Sequence, residues 1–168
     1  PISVADYMAT CLFDPQHGYY TTREPFGRGG DFITAPEVSQ MFGELVAIWL
    51  AEAWQAAAGP LPATFAEIGP GRGTLMKDMV RTIRRVAPGL AKGATFALVE
   101  ASPRLADLQR RTLEVAGPAF SWHATVDTLP EQPLLVVGNE IFDALPFRQF
   151  VRTRDGWRER VIDLDGAS

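Results

Sequence analysis

Apolar positions recur along this chain with two periods, and the places where the period changes mark its elements. After Ser3, the residues Val4, Tyr7, Met8 and Cys11 return at helical spacing and stop before Asp14-Pro15, which predicts a short amphipathic helix. Pro36 and Glu37 open a longer helical pattern in which Val38, Met41, Phe42, Leu45, Val46 and Trp49 are spaced for one buried face, and Gly59-Pro60 stops it. Four short apolar runs then read as strands: Phe65 to Ile68, Phe96 to Val99, a weaker one near Phe120 to Ala124, and Leu134 to Val137. Between the first two lies a helix from Thr74 to Val86, with Met76, Met79, Val80 and Ile83 inward. Ser102 and Pro103 make a cap and first-turn pair for the next helix, which runs through Leu105, Leu108 and Leu113 to Gly117-Pro118. At the end, Gln149 to Thr153 and Arg158 to Leu164 flank Asp155-Gly156, a favoured hairpin turn.

Alternating buried strands and amphipathic helices predict an α/β fold with a doubly wound sheet, whose ligands bind at the carboxyl ends of the strands near the switch point. The expected organisation is one structural domain. Residues 1–60 supply N-terminal helices and a glycine-rich loop, and 61–168 form the sheet-bearing core ending in the hairpin. The loop from Pro15 to Pro36 holds Gly18, Gly27, Gly29 and Gly30 with the aromatics Tyr19, Tyr20, Phe26 and Phe32. A loop this long inside a compact domain is usually functional or disordered, and its aromatics favour order.

Composition narrows the partners. In 168 residues, 16 basic side chains face 20 acidic ones, for a net charge of −4, so no counterion-release term favours a nucleic-acid backbone. The single cysteine, Cys11, has no partner for an internal disulfide or a metal cluster. His17 and His123 are isolated, and no metal is assigned. The longest apolar stretch, Leu45 to Trp54, is interrupted by Glu52 and falls short of the roughly 20 residues a membrane span needs. Neither a signal peptide nor an oxidising compartment is indicated. Arg81, Arg84 and Arg85, like Arg152, Arg154, Arg158 and Arg160, read as solvated faces.

The first predicted strand runs into Glu67-Ile68-Gly69-Pro70-Gly71-Arg72-Gly73-Thr74. Gly69, Gly71 and Gly73 let the backbone turn sharply and let a ligand approach peptide N–H groups, with a helix N-terminus behind them. The second strand ends in Val99-Glu100, where a carboxylate accepts hydrogen bonds from ribose hydroxyls. Both features suit an adenosine cofactor. A dinucleotide fingerprint counted from Gly69 requires Gly or Ala where Thr74 stands. Glu67 would crowd a pyrophosphate, whereas it would favour a ligand carrying an ammonium and a sulfonium. S-adenosylmethionine therefore fits better than a nicotinamide dinucleotide. The plainer alternative gives the glycines to helix packing and leaves Glu100 as a solvated strand-end acid.

Four ordered motifs sharpen this: Gly30-Asp31-Phe32-Ile33-Thr34-Ala35-Pro36-Glu37, Glu67 to Leu75, Val99-Glu100-Ala101-Ser102-Pro103, and Asn139-Glu140-Ile141-Phe142-Asp143-Ala144-Leu145-Pro146. Together with Tyr7-Met8 and Asp14-Pro15-Gln16-His17-Gly18-Tyr19-Tyr20, they resemble the MidA family of S-adenosylmethionine-dependent methyltransferases across nearly the whole chain. The resemblance implies a Rossmann-like class I methyltransferase core, S-adenosylmethionine as cofactor, and a protein substrate with arginine as one acceptor. The family includes mitochondrial complex I assembly factors, so the expected location is the cytoplasm for a bacterial chain or the mitochondrial matrix for a eukaryotic one. The implied cofactor residues are Glu67, Gly69, Pro70, Gly71, Gly73, Thr74, Glu100, Ser102 and Asn139. Asp31, Phe32 and Thr34 join them on a candidate lid, which could equally be a capping loop for the long helix.

On the acceptor side, a carboxylate pair can grip a guanidinium through its fork of donors and orient one nitrogen toward a methyl donor. Glu140 and Asp143, three apart after the fourth strand, are the candidate catalytic pair, since a following helical turn would put them on one face. Turn and cap roles for Asn139 and Asp143 are the alternative. Two other function classes stay open: a nicotinamide-dependent oxidoreductase, and a catalytically silent assembly or adaptor protein that keeps the fold. Four parallel strands are fewer than the seven this methyltransferase class ordinarily builds, so the chain is expected to be the amino-terminal cofactor-binding portion of a longer protein or an incompletely represented chain, which leaves open whether it catalyses alone.

Overall fold

The structure, a computed structural model, describes residues 1–23 and 30–164; Phe26, Gly27 and Gly29 of the glycine-rich loop lie outside them. The elements in chain order are β1 (Ile2–Ser3), α1 (Val4–Phe13), α2 (Tyr19–Thr22), α3 (Ala35–Val38), α4 (Gln40–Ala56), β2 (Ala63–Ile68), α5 (Thr74–Val86), α6 (Pro88–Gly93), β3 (Ala94–Val99), α7 (Pro103–Leu113), β4 (Phe120–His123), β5 (Leu134–Val137), β6 (Phe150–Thr153), β7 (Gly156–Glu159) and β8 (Val161–Ile162). They fall into two compact units, Phe26–Asn139 and Pro1–Pro25 with Glu140–Ser168. The sequence-based boundary near residue 60 thus falls inside the first of these.

In the unit Phe26–Asn139, four strands form one parallel sheet in the order β4-β3-β2-β5. The chain winds outward from β2 through α5, β3 and α7 to β4, then returns to the other side of β2 as β5. That reversal puts the switch point between β2 and β5, the place where sheets of this kind bind ligands at the carboxyl ends of their strands. The core is built from Phe65, Phe96, Leu98, Leu75, Met76, Met79, Val80, Ile83 and Leu113, each at most 2% exposed. The inward face expected for α5 is the one observed. Its boundaries also match the sequence, because Gly73 at φ 81° marks the start and Ala87 departs from helical geometry at the end.

The long helical pattern is corrected in two respects. Ser39 takes an extended conformation and its hydroxyl accepts from the Met41 N–H at 3.2 Å, so the pattern breaks into α3 and α4. The buried face of α4 is Gly43, Ala47, Leu50 and Ala51, while Met41, Leu45 and Trp49 are exposed. The reason is the close approach to α5: a Cβ on Gly43 would lie 2.7 Å from Asp78 Cβ. Only small side chains fit that seam. The helix also ends before Gly59-Pro60, with Ala58 in left-handed conformation at φ 47°.

In the other unit, β1 pairs antiparallel with β8, and β6 with β7. The hairpin is real, but its register differs from the sequence expectation. Thr153 pairs with Gly156, leaving Arg154 and Asp155 as the two loop residues, and Gly156 absorbs a φ of 114° as the first residue of β7. The expected second arm, Arg158 to Leu164, is divided, since only its start belongs to β7 and Val161–Ile162 pairs with Ile2–Ser3. α1 forms as expected, with the Ser3 hydroxyl accepting from the Asp6 N–H at 3.0 Å.

Candidate functional site

The parallel register aligns Glu67 with Leu98 on one side and Val137 on the other. The segments that follow these strands, Gly69 to Gly73, Glu100 to Ser102 and Gly138 to Asn139, therefore leave the same end of the sheet. Gly69, Gly71 and Gly73 have φ of 63°, 53° and 81°, a left-handed region costly for any residue with a Cβ. The turn closes through the Gly73 N–H donating to the Pro70 carbonyl at 2.8 Å. At the end of β3, Glu100 Oε1 accepts from the Ser102 N–H at 2.8 Å, and Oε2 accepts from Gln109 Nε2 at 3.0 Å. Burial raises the Glu100 pKa above the ordinary carboxylate value, against the lowering effect of these donors and of Arg104.

Glu67 is 2% exposed. The Met76 N–H in the first turn of α5 donates to its carboxylate, but desolvation dominates and pushes its pKa up to about 8. Its Oε2 has no hydrogen-bond partner. Burial thus favours the protonated side chain and works against the fixed negative charge that the sequence suggests for a sulfonium ligand.

Two expected cofactor residues have their hydroxyls engaged within the protein. Thr74 Oγ1 donates to Glu37 Oε1 at 2.5 Å, tying α3 to the start of α5. Ser102 Oγ caps α7 by accepting from the Leu105 N–H at 3.4 Å. Asp31 and Phe32 are exposed, Phe32 at 49%. Thr34 precedes α3 and offers its carbonyl to the Glu37 and Val38 N–H groups. His123 contacts Thr128 and Ser121 hydroxyls, and among the described residues no three His, Cys, Asp or Glu side chains gather to hold a metal. Nor is any described helix long and apolar enough to cross a membrane.

In the other unit, Glu140 and Asp143 are both exposed. Glu140 adopts φ 50° and Phe142 to Ala144 form a turn closed by the Ala144 N–H on the Ile141 carbonyl at 3.0 Å. The helical turn expected to align the two carboxylates is not formed, because Glu140 leaves the right-handed region. Asp143 does have a titratable neighbour in its own unit: its charge adds to burial in raising the Tyr20 pKa.

Sequence reasoning missed Gln109, Glu37 and Trp122. Gln109 carried a signal, standing four residues after Leu105 and four before Leu113, a core position on α7 where a polar residue needs a reason. Glu37 stood in the Gly30 to Glu37 motif without any sign of its partner Thr74, and Trp122 carried no signal, since both partners lie on other elements.

The family model described as "Putative S-adenosyl-L-methionine-dependent methyltransferase" matches residues 45–168. The chain is 37% identical over 185 residues to "Protein arginine methyltransferase NDUFAF7, mitochondrial" of Danio rerio, covering 98% of this chain and 44% of that protein. It is 38% identical over 192 residues to the Drosophila melanogaster homologue of the same name, covering 99% and 43%. A crystal structure from Burkholderia thailandensis bound to S-adenosyl-homocysteine matches with a TM-score of 0.75 and 33% identity, over 99% of this chain and 44% of that one. The chain thus spans less than half the length of the relatives it matches. With the family model, the relatives and the parallel α/β core in agreement, this chain belongs to that family of S-adenosyl-L-methionine-dependent methyltransferases.

Proposed function

We propose that the protein to which this chain belongs is an S-adenosylmethionine-dependent methyltransferase that modifies a protein, at arginine, and that the unit Phe26–Asn139 holds the cofactor. The observation that carries this is the left-handed glycine turn and the Glu100 carboxylate leaving the same end of adjacent parallel strands. In support, two relatives are named protein arginine methyltransferases, and the Burkholderia structure is described as bound to S-adenosyl-homocysteine.

The residues present fit such a group. Gly69, Gly71 and Gly73 provide a turn with no Cβ at those three positions, and Pro70 holds its backbone between the first two; Glu100 is left with lone-pair capacity for ribose hydroxyls beyond its protein donors; and Glu67 Oε2 is a buried oxygen without a partner. Asn139 would line the cofactor edge, with Asp31, Phe32 and Thr34 as cover. Thr74 and Ser102 would act by holding Glu37, Glu100 and the start of α7. S-adenosylmethionine supplies an electrophilic methyl group on a sulfonium. Glu140 and Asp143 would bind the guanidinium by accepting its N–H groups and orient the attacking nitrogen. By the family resemblance, the acceptor class includes an arginine of a complex I subunit. The mitochondrial names of relatives favour the matrix for a eukaryotic chain, and the cytoplasm is the counterpart in a bacterium.

Calorimetry of the full-length protein with S-adenosylmethionine and with NAD, followed by transfer of labelled methyl into a cell extract and identification of the modified residue, tests the assignment. Uptake of NAD alone would establish an oxidoreductase instead, and cofactor uptake without transfer a silent adaptor. Glu140→Gln is expected to lower turnover by about 100-fold or more, with cofactor affinity within about 2-fold of wild type. Unchanged turnover removes Glu140 from the site.

A further inference from the structure

Gln109 is fully buried in the middle of α7. A buried amide is costly unless its groups are satisfied, and this one is engaged at both ends. Its Nε2 donates to the Gly71 carbonyl at 2.9 Å and to Glu100 Oε2 at 3.0 Å, while its Oε1 accepts from Trp122 Nε1 at 3.1 Å. An indole N–H only donates, so Trp122 dictates which end of the amide it meets. The opposite orientation would set N–H against N–H and turn the amide oxygen toward a carbonyl and a carboxylate. One side chain thus joins the glycine turn after β2, the acid after β3 and the indole on β4. Packing adds to the constraint, since a Cβ on Gly73 would touch Gln109 Cγ at 3.4 Å.

We infer that Gln109 is a positioning residue for the cofactor: it fixes the Glu100 carboxylate and the Gly71 peptide in one arrangement, with Trp122 setting the sense of its amide, so that ribose hydroxyls meet an acceptor already in place. This rests on Glu100 being the ribose acceptor. Each Glu100 oxygen is held by a donor from a different segment, Ser102 on Oε1 and Gln109 on Oε2. Without Gln109, Oε2 loses its link to α7 and the carboxylate must be ordered by the ligand itself, which weakens binding.

The test compares S-adenosyl-homocysteine with its 2′-deoxyribose analogue, by calorimetry on the full-length protein. Wild type is expected to prefer the ribose compound by about 10- to 100-fold, the range for a hydrogen bond to a charged group. In Gln109→Met, close in shape and without the amide, this preference should fall by about 5-fold or more through loss of affinity for the ribose compound alone. The KM for S-adenosylmethionine should rise by a similar factor while kcat changes by less than about 2-fold. Trp122→Phe leaves Gln109 Oε1 without its donor and loosens the side chain, while Gly71 and Glu100 still hold Nε2, so the same preference should fall by about 2- to 4-fold. An unchanged preference in Gln109→Met, or an equal loss of affinity for both compounds, would overturn the positioning role and leave packing alone. If that variant does not fold, Trp122→Phe decides, and an unchanged preference there overturns the inference. Failure of wild type to bind S-adenosyl-homocysteine at all would instead sink the cofactor assignment, and this inference with it.

Discussion

The two units of this chain are held together differently. In Phe26–Asn139, the sheet and α5 bury phenylalanines, leucines and methionines almost completely. Among the described residues of Pro1–Pro25 and Glu140–Ser168, only Gly18 is buried. That unit relies on local polar and aromatic contacts: the Ser3 cap, the Thr21 hydroxyl donating to the Asp14 carbonyl at 2.6 Å, and Phe13 stacked on Tyr20 at 5.7 Å. Hydrophobic burial scales with area removed from water, whereas each neutral hydrogen bond nets only about 1 kcal/mol. The proposed cofactor residues on the glycine turn and at the end of β3 therefore stand on a stiff base, while Glu140 and Asp143 sit on turns with little packing beneath them.

The contrast can be broken most directly from the packed side. Phe65→Ala, which removes a core side chain 2% exposed and packed on Phe96, should cost about 3–5 kcal/mol in urea unfolding of the full-length protein.

A smaller change, of opposite sign, is expected at Glu67. Its folded pKa lies above its unfolded value, so its carboxyl destabilises the fold wherever the unfolded chain is ionised. Stability should be highest below the unfolded pKa of about 4.5 and fall as pH rises toward about 8. Glu67→Gln should remove that slope and raise stability near pH 8 by up to about 4 kcal/mol, read from thermal unfolding at pH 5 and pH 8. An equal effect at both pH values would mean that the side chain is ionised throughout.

The smallest effect belongs to the other unit. Ser3→Ala removes the cap of α1 and should cost about 1 kcal/mol, seen as faster amide exchange in α1 with no change in α5. A global loss of stability would show that the unit is more cooperative than its burial suggests.

Much of the packed unit was legible because local signals and tertiary demands agree there. The Gly69–Gly73 turn sits between an apolar run and an amphipathic stretch, and α5 has one apolar and one basic face, so a single packing satisfies it. Glu67 and Glu100 were legible for the same reason, as acids at strand ends. Their burial and hydrogen-bond partners were not, because desolvation depends on how the strands and helices pack, and the Met76 N–H and Gln109 reach them only once the following helix folds back onto the sheet. The turn after β5 was misjudged, since nothing local forbade a helical continuation through Glu140.

What the sequence determined by itself is the alternation of strands and helices, the position of the glycine turn and the acids around it, since each follows from short-range periodicity and backbone freedom. Which face of α4 is buried was decided only in three dimensions. Apolar residues surround that helix, so period alone offers two stripes, and contact with α5 selects Gly43, Ala47 and Ala51 over Met41, Leu45 and Trp49 because only small side chains permit so close an approach. The Gln109 network was decided there too: a buried amide is tolerable only where its acceptors and donor converge, and Gly71, Glu100 and Trp122 converge only once the strands are parallel and in register.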